Sequence, residues 1–274
     1  GFELELHYND KIGSDFRYHV GFTLASSENR VVFRDDPVNG PDHLKEAGKP
    51  IGHQNRYLAV GNYETIDDVF NNAQTGSINS VAPGQVVPGD FIYIDFDSNG
   101  ILNGQDKVAV DELNYPLHTY GLNLGFDWKG LSFSAMFYAP TGVYKLVNSV
   151  YSASFKSGKI NAQPDVMNAW TPETANTSGV RAPALHLTND GAFNGTESTY
   201  RYQNFSYLRL KTMELGYNLP KKWLKTVGLK SLQVYVTGNN LLTWWGGDDR
   251  IDPEGEQVQY PILRSFTSGV RVSF

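Results

Sequence analysis

The chain has 274 residues and a formal net charge of −6, with 40% hydrophobic, 19% charged and 13% aromatic residues. It is too aromatic and too sparsely charged to be disordered, and its acidic balance argues against a nucleic-acid-binding face. Cysteine is absent, which excludes disulfides, thiolate metal sites and cysteine nucleophiles.

The first signal in chain order is period-two alternation. Phe2, Leu4, Leu6 and Tyr8 alternate with Glu3, Glu5, His7 and Asn9. After a polar link over 10–15, Phe16, Tyr18, Val20, Phe22 and Leu24 alternate with Arg17, His19, Gly21, Thr23 and Ala25. Two such runs around a short link predict a hairpin. A second hairpin is expected over 117–139, where Tyr120, Leu122, Leu124, Phe126 and Trp128 precede a turn at Lys129-Gly130 and a strand carrying Leu131, Phe133, Ala135 and Phe137.

Three further strands are predicted over 205–217, 232–242 and 262–274. In the first, the alternation changes phase near Thr212–Met213, which predicts a bulge. A short helix is expected at 221–227, after Pro220. No run approaches the ~18 apolar residues of a transmembrane helix, but barrel strands alternate and escape that test.

Alternation alone fits two folds. One is a soluble sandwich whose aromatics form a core. The other is a membrane barrel whose apolar face meets lipid and whose face of Gly, Ser, Thr, Asn and charge lines a wet lumen. Three features favour the barrel. The links alternate between short ones (10–15, 128–130, 218–230) and long ones (about 26–116, 140–203, 243–260). Tyr8, Trp128, Tyr217, Trp244 and Trp245 cluster at strand ends, as interfacial girdles do. The last amphipathic strand runs to an aromatic, Phe274.

Several residues in the long links carry candidate chemistry. Asp95, Asp97, Asn99, Gly100 and Ile101, with Asp106 at the twelfth position, follow the front of a calcium-binding loop. Oxygen ligands at positions 1, 3 and 5 and a backbone carbonyl at 7 suit Ca²⁺; an Asp/Asn/Gly turn held by its own side chains is the simpler alternative. Trp170, Tyr200, Trp244 and Trp245 are the aromatics named as weak substrate-stacking candidates; girdle or packing roles compete for each. Asp248, Asp249, Asp252, Glu254 and Glu256 read as a solvated acidic loop. Arg17, Arg209, Lys211 and Arg271 are expected on the lumen side, ion-paired with carboxylates. No G-x-S-x-G, P-loop, G-x-G-x-x-G or H-E-x-x-H motif is present, so no catalytic residue is named.

A resemblance adds to this reading. The segments SYLRLKTMELGYNLPKKWLKTVGLKSLQVYVTGNNLLTW (206–244), NAWTPETANTSGVRAP (168–183) and PGDFIYIDFDSNGILNGQDKV (88–108), with the terminal SGVRVSF, resemble SusC/RagA-type TonB-dependent outer-membrane transporters. The resemblance runs through residues 1–274. It implies an all-β fold, the last seven strands of an antiparallel transmembrane β-barrel of about 22 strands, with long extracellular loops and short periplasmic turns. The plug and the segment that meets TonB would belong to polypeptide outside these residues. Seven strands alone would leave two unpaired edges, so the chain is expected to be part of something longer. The resemblance also implies uptake of oligosaccharides, less often peptides, across the outer membrane. A SusD-like lipoprotein would cover the outer loops, and energy would come through TonB. Finally, it implies that Val270, Val272 and Phe274 help the assembly machinery recognise the chain, with plain lipid contact as the alternative.

Overall fold

A computed structural model describes residues 1–71, 86–147, 167–175, 182–185, 194–226, 228–255 and 260–274. In chain order its strands are β1 (Phe2–Ile12), β2 (Phe16–Ser26), β3 (Gln54–Arg56), β4 (Ala59–Asn62), β5 (Phe91–Tyr93), β6 (Val108–Val110), β7 (His118–Trp128), β8 (Leu131–Thr141), β9 (Tyr144–Leu146), β10 (Tyr202–Asn204), β11 (Tyr207–Asn218), β12 (Ser231–Trp245) and β13 (Ser265–Ser273). Two short helices, α1 (Ile66–Asn71) and α2 (Lys221–Lys225), complete the regular elements used below.

The chain divides into two compact units. The first comprises 1–28, 114–144 and 204–274; the second comprises 29–113 and 145–203. All seven predicted strands lie in the first unit. They form one antiparallel sheet in the order β1-β2-β7-β8-β11-β12-β13, with β1 and β13 at its two edges. The strands of nine to fifteen residues have the length a tilted membrane-spanning strand needs.

Register explains why both faces are uniform. One row across the sheet pairs Tyr8, Val20, Leu124, Ala135 and Met213. The neighbouring row pairs His7, Gly21, Asn123, Met136 and Thr212. Successive side chains point to opposite faces, so each row keeps one side. The apolar side is bare: Leu6 is 55% exposed, Val236 50% and Phe266 71%. A soluble sandwich would bury that face. The open sheet with exposed aliphatics therefore excludes the sandwich reading.

The predicted bulge is present, between Leu210 and Thr212. Lys211 is the extra residue relative to β8 and lies opposite Asn240 and Leu241 of β12. Asn240 takes a positive φ of 52°, a conformation Asn tolerates better than most residues. The bulge keeps Leu210 and Met213 on the apolar side although three positions separate them.

On the polar side, glycines make room for flat-lying neighbours. A Cβ on Gly125 would sit 2.2 Å from His19 Cε1 and 2.8 Å from the Phe133 carbonyl oxygen. The helix over 221–227 is found as the shorter α2, starting after Pro220 and anchored by the buried Leu224.

The second unit has its own core of Tyr57, Tyr63, Phe91, Tyr93 and Leu102. Two small ribbons, β3-β6 and β4-β5, organise it. The sequence reading gave the long links no such structure, because three- and four-residue strands carry too short an alternation to register.

Candidate functional site

The wall of the first unit carries a charged clasp. Arg209 leaves β11 on the polar side and is 1% exposed. Its Nη2 donates to both carboxylate oxygens of Asp252 at 2.8 Å, and its Nη1 donates to Glu254 at 2.7 Å. Nε donates to Thr243 Oγ1 at 2.9 Å. Two residues on, Lys211 Nζ donates to both oxygens of Glu254 at 2.5 and 2.6 Å. The amides of Glu254 and Gly255 donate to Asp252 Oδ1, which closes the loop around its own carboxylate. Tyr207, buried, places its ring 5.1 Å from the guanidinium.

This arrangement bears out the expectation that Arg209 and Lys211 face the polar side in ion pairs. It corrects the reading of the acidic loop as solvated surface. Asp252 and Glu254 are clasped to the wall, and Asp248 pairs with Arg250 within the loop. A fixed bidentate geometry of this kind costs a desolvated arginine, which only well-placed carboxylates offset. The sequence held the signal in the Arg-x-Lys of one strand and the Asp-x-Glu of the following loop. Their pairing required the fold.

A second polar network lies lower on the same face. Arg271 of β13 donates to Glu214 of β11 at 2.9 and 3.1 Å and to Gln233 of β12 at 2.8 Å. Thr237 donates to Glu214, and Gln233 donates to Ser132 of β8. The Arg271 guanidinium lies 4.0 Å from the centre of the Tyr235 ring. Four adjacent strands are thus tied by side chains as well as by the backbone ladder. Arg17 has a different setting, beside Asn9, Lys11, His19 and Asp127 in a shallow concavity of the β1-β2-β7 face.

The four aromatic candidates fall two in each unit, each with its own setting. Trp170 is buried at 9% exposure, its indole N–H donates to Glu64 at 3.0 Å, and its ring covers Gly89 so closely that a Cβ there would lie 2.5 Å away. Here it is a packing residue of the second unit. Tyr200 packs tilted against Phe91, ring centres 4.5 Å apart, on that unit's core. Trp244 and Trp245 point to opposite faces. Trp244 pairs with Leu208 on the apolar side, whereas Trp245 pairs with Tyr207 on the polar side and packs 5.1 Å from Phe205.

The acidic loop of the second unit brings three of its five candidate ligands together. Carboxylate oxygens of Asp95, Asp97 and Asp106 lie within 4.8 Å of one another. Asp106 is fully buried, and its two oxygens accept from the amides of Phe96 and Asn103. Gly100 N–H donates to Asp95 at 2.7 Å, and Gly100 has a φ of 79° that favours glycine. Burial pushes the Asp95 carboxyl up, but the amides of Gly100 and Asn99 outweigh it and hold it below the usual carboxylate range. Asn99 Oδ1 accepts from Ile101 N–H, and the Ile101 carbonyl accepts from Asn103 Nδ2 at 3.0 Å. Three hard oxygen donors suit a divalent cation, and the same bonds also hold the turn without one.

Val270 and Val272 lie on the apolar face opposite Val234 and Leu232, and Phe274 is 83% exposed beyond them.

An antiparallel sheet with a bare apolar face, an ion-paired polar face and strands of membrane-spanning length is a segment of a transmembrane β-barrel wall. No protein-family model matches the chain. All of it aligns with TonB-dependent receptor P3 of Formosa agariphila at 26% identity, with TonB-dependent receptor P26 of the same organism at 27%, and with TonB-dependent receptor SusC of Bacteroides thetaiotaomicron at 23%. It spans 28%, 29% and 26% of those proteins, less than a third of each. The fold matches the RagAB peptide transporter with a TM-score of 0.68 at 19% identity, and the RagAB peptide importer in its open-open state with 0.70 at 20%. Each covers 99% of this chain, and the chain covers 29% and 28% of those structures. The resemblance read from the sequence therefore holds over the whole chain, whose seven-stranded sheet is similar to a portion of such receptor barrels.

Proposed function

We propose that this chain supplies barrel wall and outer loops to an outer-membrane importer of oligosaccharides or peptides. The observation that carries the reading is the clasp of Arg209 and Lys211 on Asp252 and Glu254, set in a wall whose opposite face is bare and apolar. It fixes residues 252–255 on the polar face, where a passing solute would meet them. RagAB supports the peptide arm by its title as a peptide importer, and the oligosaccharide arm rests on the resemblance to SusC-type receptors. The work is binding and gated passage. A SusD-like lipoprotein over the outer loops and energy through TonB complete the assembly. The test deletes the gene for the full receptor and measures uptake of labelled oligosaccharides and peptides of graded length. Loss of uptake for one class, restored by the intact gene, is expected. Uptake unchanged for every class would overturn the reading.

The loop at Asp95, Asp97, Asn99, Ile101 and Asp106 serves in this proposal as a Ca²⁺ site that orders an external loop. Its support is the convergence of three carboxylates. Calorimetric titration of the full receptor with Ca²⁺, against an Asp95→Asn/Asp97→Asn variant, should show one binding event fewer in the variant. Identical titrations would remove the metal and leave the turn.

A further inference from the structure

The turn between β11 and β12 has a character the import reading does not use. From Asn218 to Ser231 it holds Lys221, Lys222, Lys225 and Lys230 and no acidic residue, in a chain of net charge −6. Leu224 is 3% exposed and pins α2, while Trp223 beside it is 65% exposed. The turn is held in shape. Leu219 N–H donates to Leu232 O at 2.9 Å, Leu229 N–H to Leu224 O at 3.1 Å, and Lys230 N–H to Ser273 O at 2.8 Å. Gly228, with a φ of 71°, ends the helix. Among the described residues, none of the four lysines forms an ion pair, and all four are exposed.

The neighbouring turn repeats the chemistry. Asn218 N–H donates to Gly130 O at 2.7 Å, so the 128–130 turn adjoins this one. There Trp128 is 48% exposed on the apolar face, with Lys129 Nζ 5.8 Å from its ring and 3.8 Å from Asp15 Oδ2. Tyr217 and Val272 end the apolar face at the same rim. A ledge that is basic over 218–231, with exposed indoles and continuous with a lipid-facing belt, has the chemistry of a membrane-interface anchor.

We infer that this rim binds the anionic headgroups of glycerophospholipids in the leaflet on the periplasmic side. The lysines supply charge, Trp223 and Trp128 sit at headgroup level, and Leu224 fixes the ledge to the sheet. The commitment to lipid rests on the continuity of the ledge with the apolar face. It depends on the barrel reading, and the experiment separates the two.

The full-length receptor is purified in detergent and incubated with equal amounts of phosphatidylglycerol and phosphatidylethanolamine. Native mass spectrometry counts the retained lipid. The wild type should retain phosphatidylglycerol ~10-fold over a Lys221→Gln/Lys222→Gln/Lys225→Gln/Lys230→Gln variant, and high salt should erase the gap. Lys107→Gln, a control lysine outside the rim, should retain it as the wild type does. In nanodiscs, phosphatidylglycerol brominated near its headgroup should quench an emission component that Trp223→Phe removes. Equal retention by the wild type and the four-lysine variant, or equal quenching in wild type and Trp223→Phe, would overturn the inference. A receptor that fails to insert into any bilayer would instead overturn the barrel reading.

Discussion

Arg209 shows how one side chain can hold a loop to a wall. With the guanidinium 1% exposed and Asp252 and Glu254 only partly open to water, its removal leaves Asp252 without its cation and Glu254 with Lys211 alone. Breaking a buried pair costs ~3–5 kcal/mol, and the partial exposure here argues for roughly 3. Arg209→Ala should lower the melting point of the full receptor and expose the segment around 252–255 to protease. Arg209→Lys should restore only part, because one ammonium cannot span Asp252, Glu254 and Thr243 as the guanidinium fork does. A protease pattern identical to wild type in Arg209→Ala would show the loop to be held elsewhere.

Asp36 acts at the same scale in the second unit. Its carboxylate accepts from the amides of Glu46 and Ala47, at 3.1 Å each, and these bonds hold it below the usual carboxylate range. A depressed folded value means the contribution is present above the ordinary carboxylate value of about 4 and is lost as pH falls through the folded value. The amides of Glu46 and Ala47 should therefore lose hydrogen-exchange protection, beyond the intrinsic pH effect, in acid below about pH 4. Asp36→Asn should show the weakened protection already at pH 7.

At the scale of the element, the two faces of a strand answer differently to the same substitution. Val20 lies midway along β2, paired with Tyr8 and Leu124 on the bare face. Val20→Arg should destabilise the folded barrel in liposomes by ~2–4 kcal/mol, the cost of a basic side chain near the bilayer midplane. His19→Arg, one residue away on the polar face, should cost far less. Denaturant unfolding of the two variants reads the difference directly, and equal losses would contradict the assignment of faces. Much of this was legible beforehand. Strand positions, the bulge and the side of each residue follow from period-two alternation, because a one-residue slip moves every side chain to the other face. The bulge fell one or two residues from its expected place, since Lys211 and Thr212 are both polar and the alternation cannot say which is extra.

At the scale of the molecule, the sheet is open. The unpaired edges of β1 and β13 and the bare apolar face together predict that residues 1–274, expressed alone without detergent, sediment as aggregate. A soluble monomer in analytical ultracentrifugation would contradict the barrel-wall assignment.

The sequence by itself determined the sheet. Alternation, link length and terminal aromatics are local properties of the chain, and burial of one face fixes strand position and side without knowledge of any neighbour. Tertiary structure alone decided which charges meet and which aromatics are spent on packing. Arg209 and Asp252 stand 43 residues apart, and Trp170 meets Glu64 across 106. Ion pairs and ring contacts act over a few ångströms of space, and distance along the chain carries no record of them.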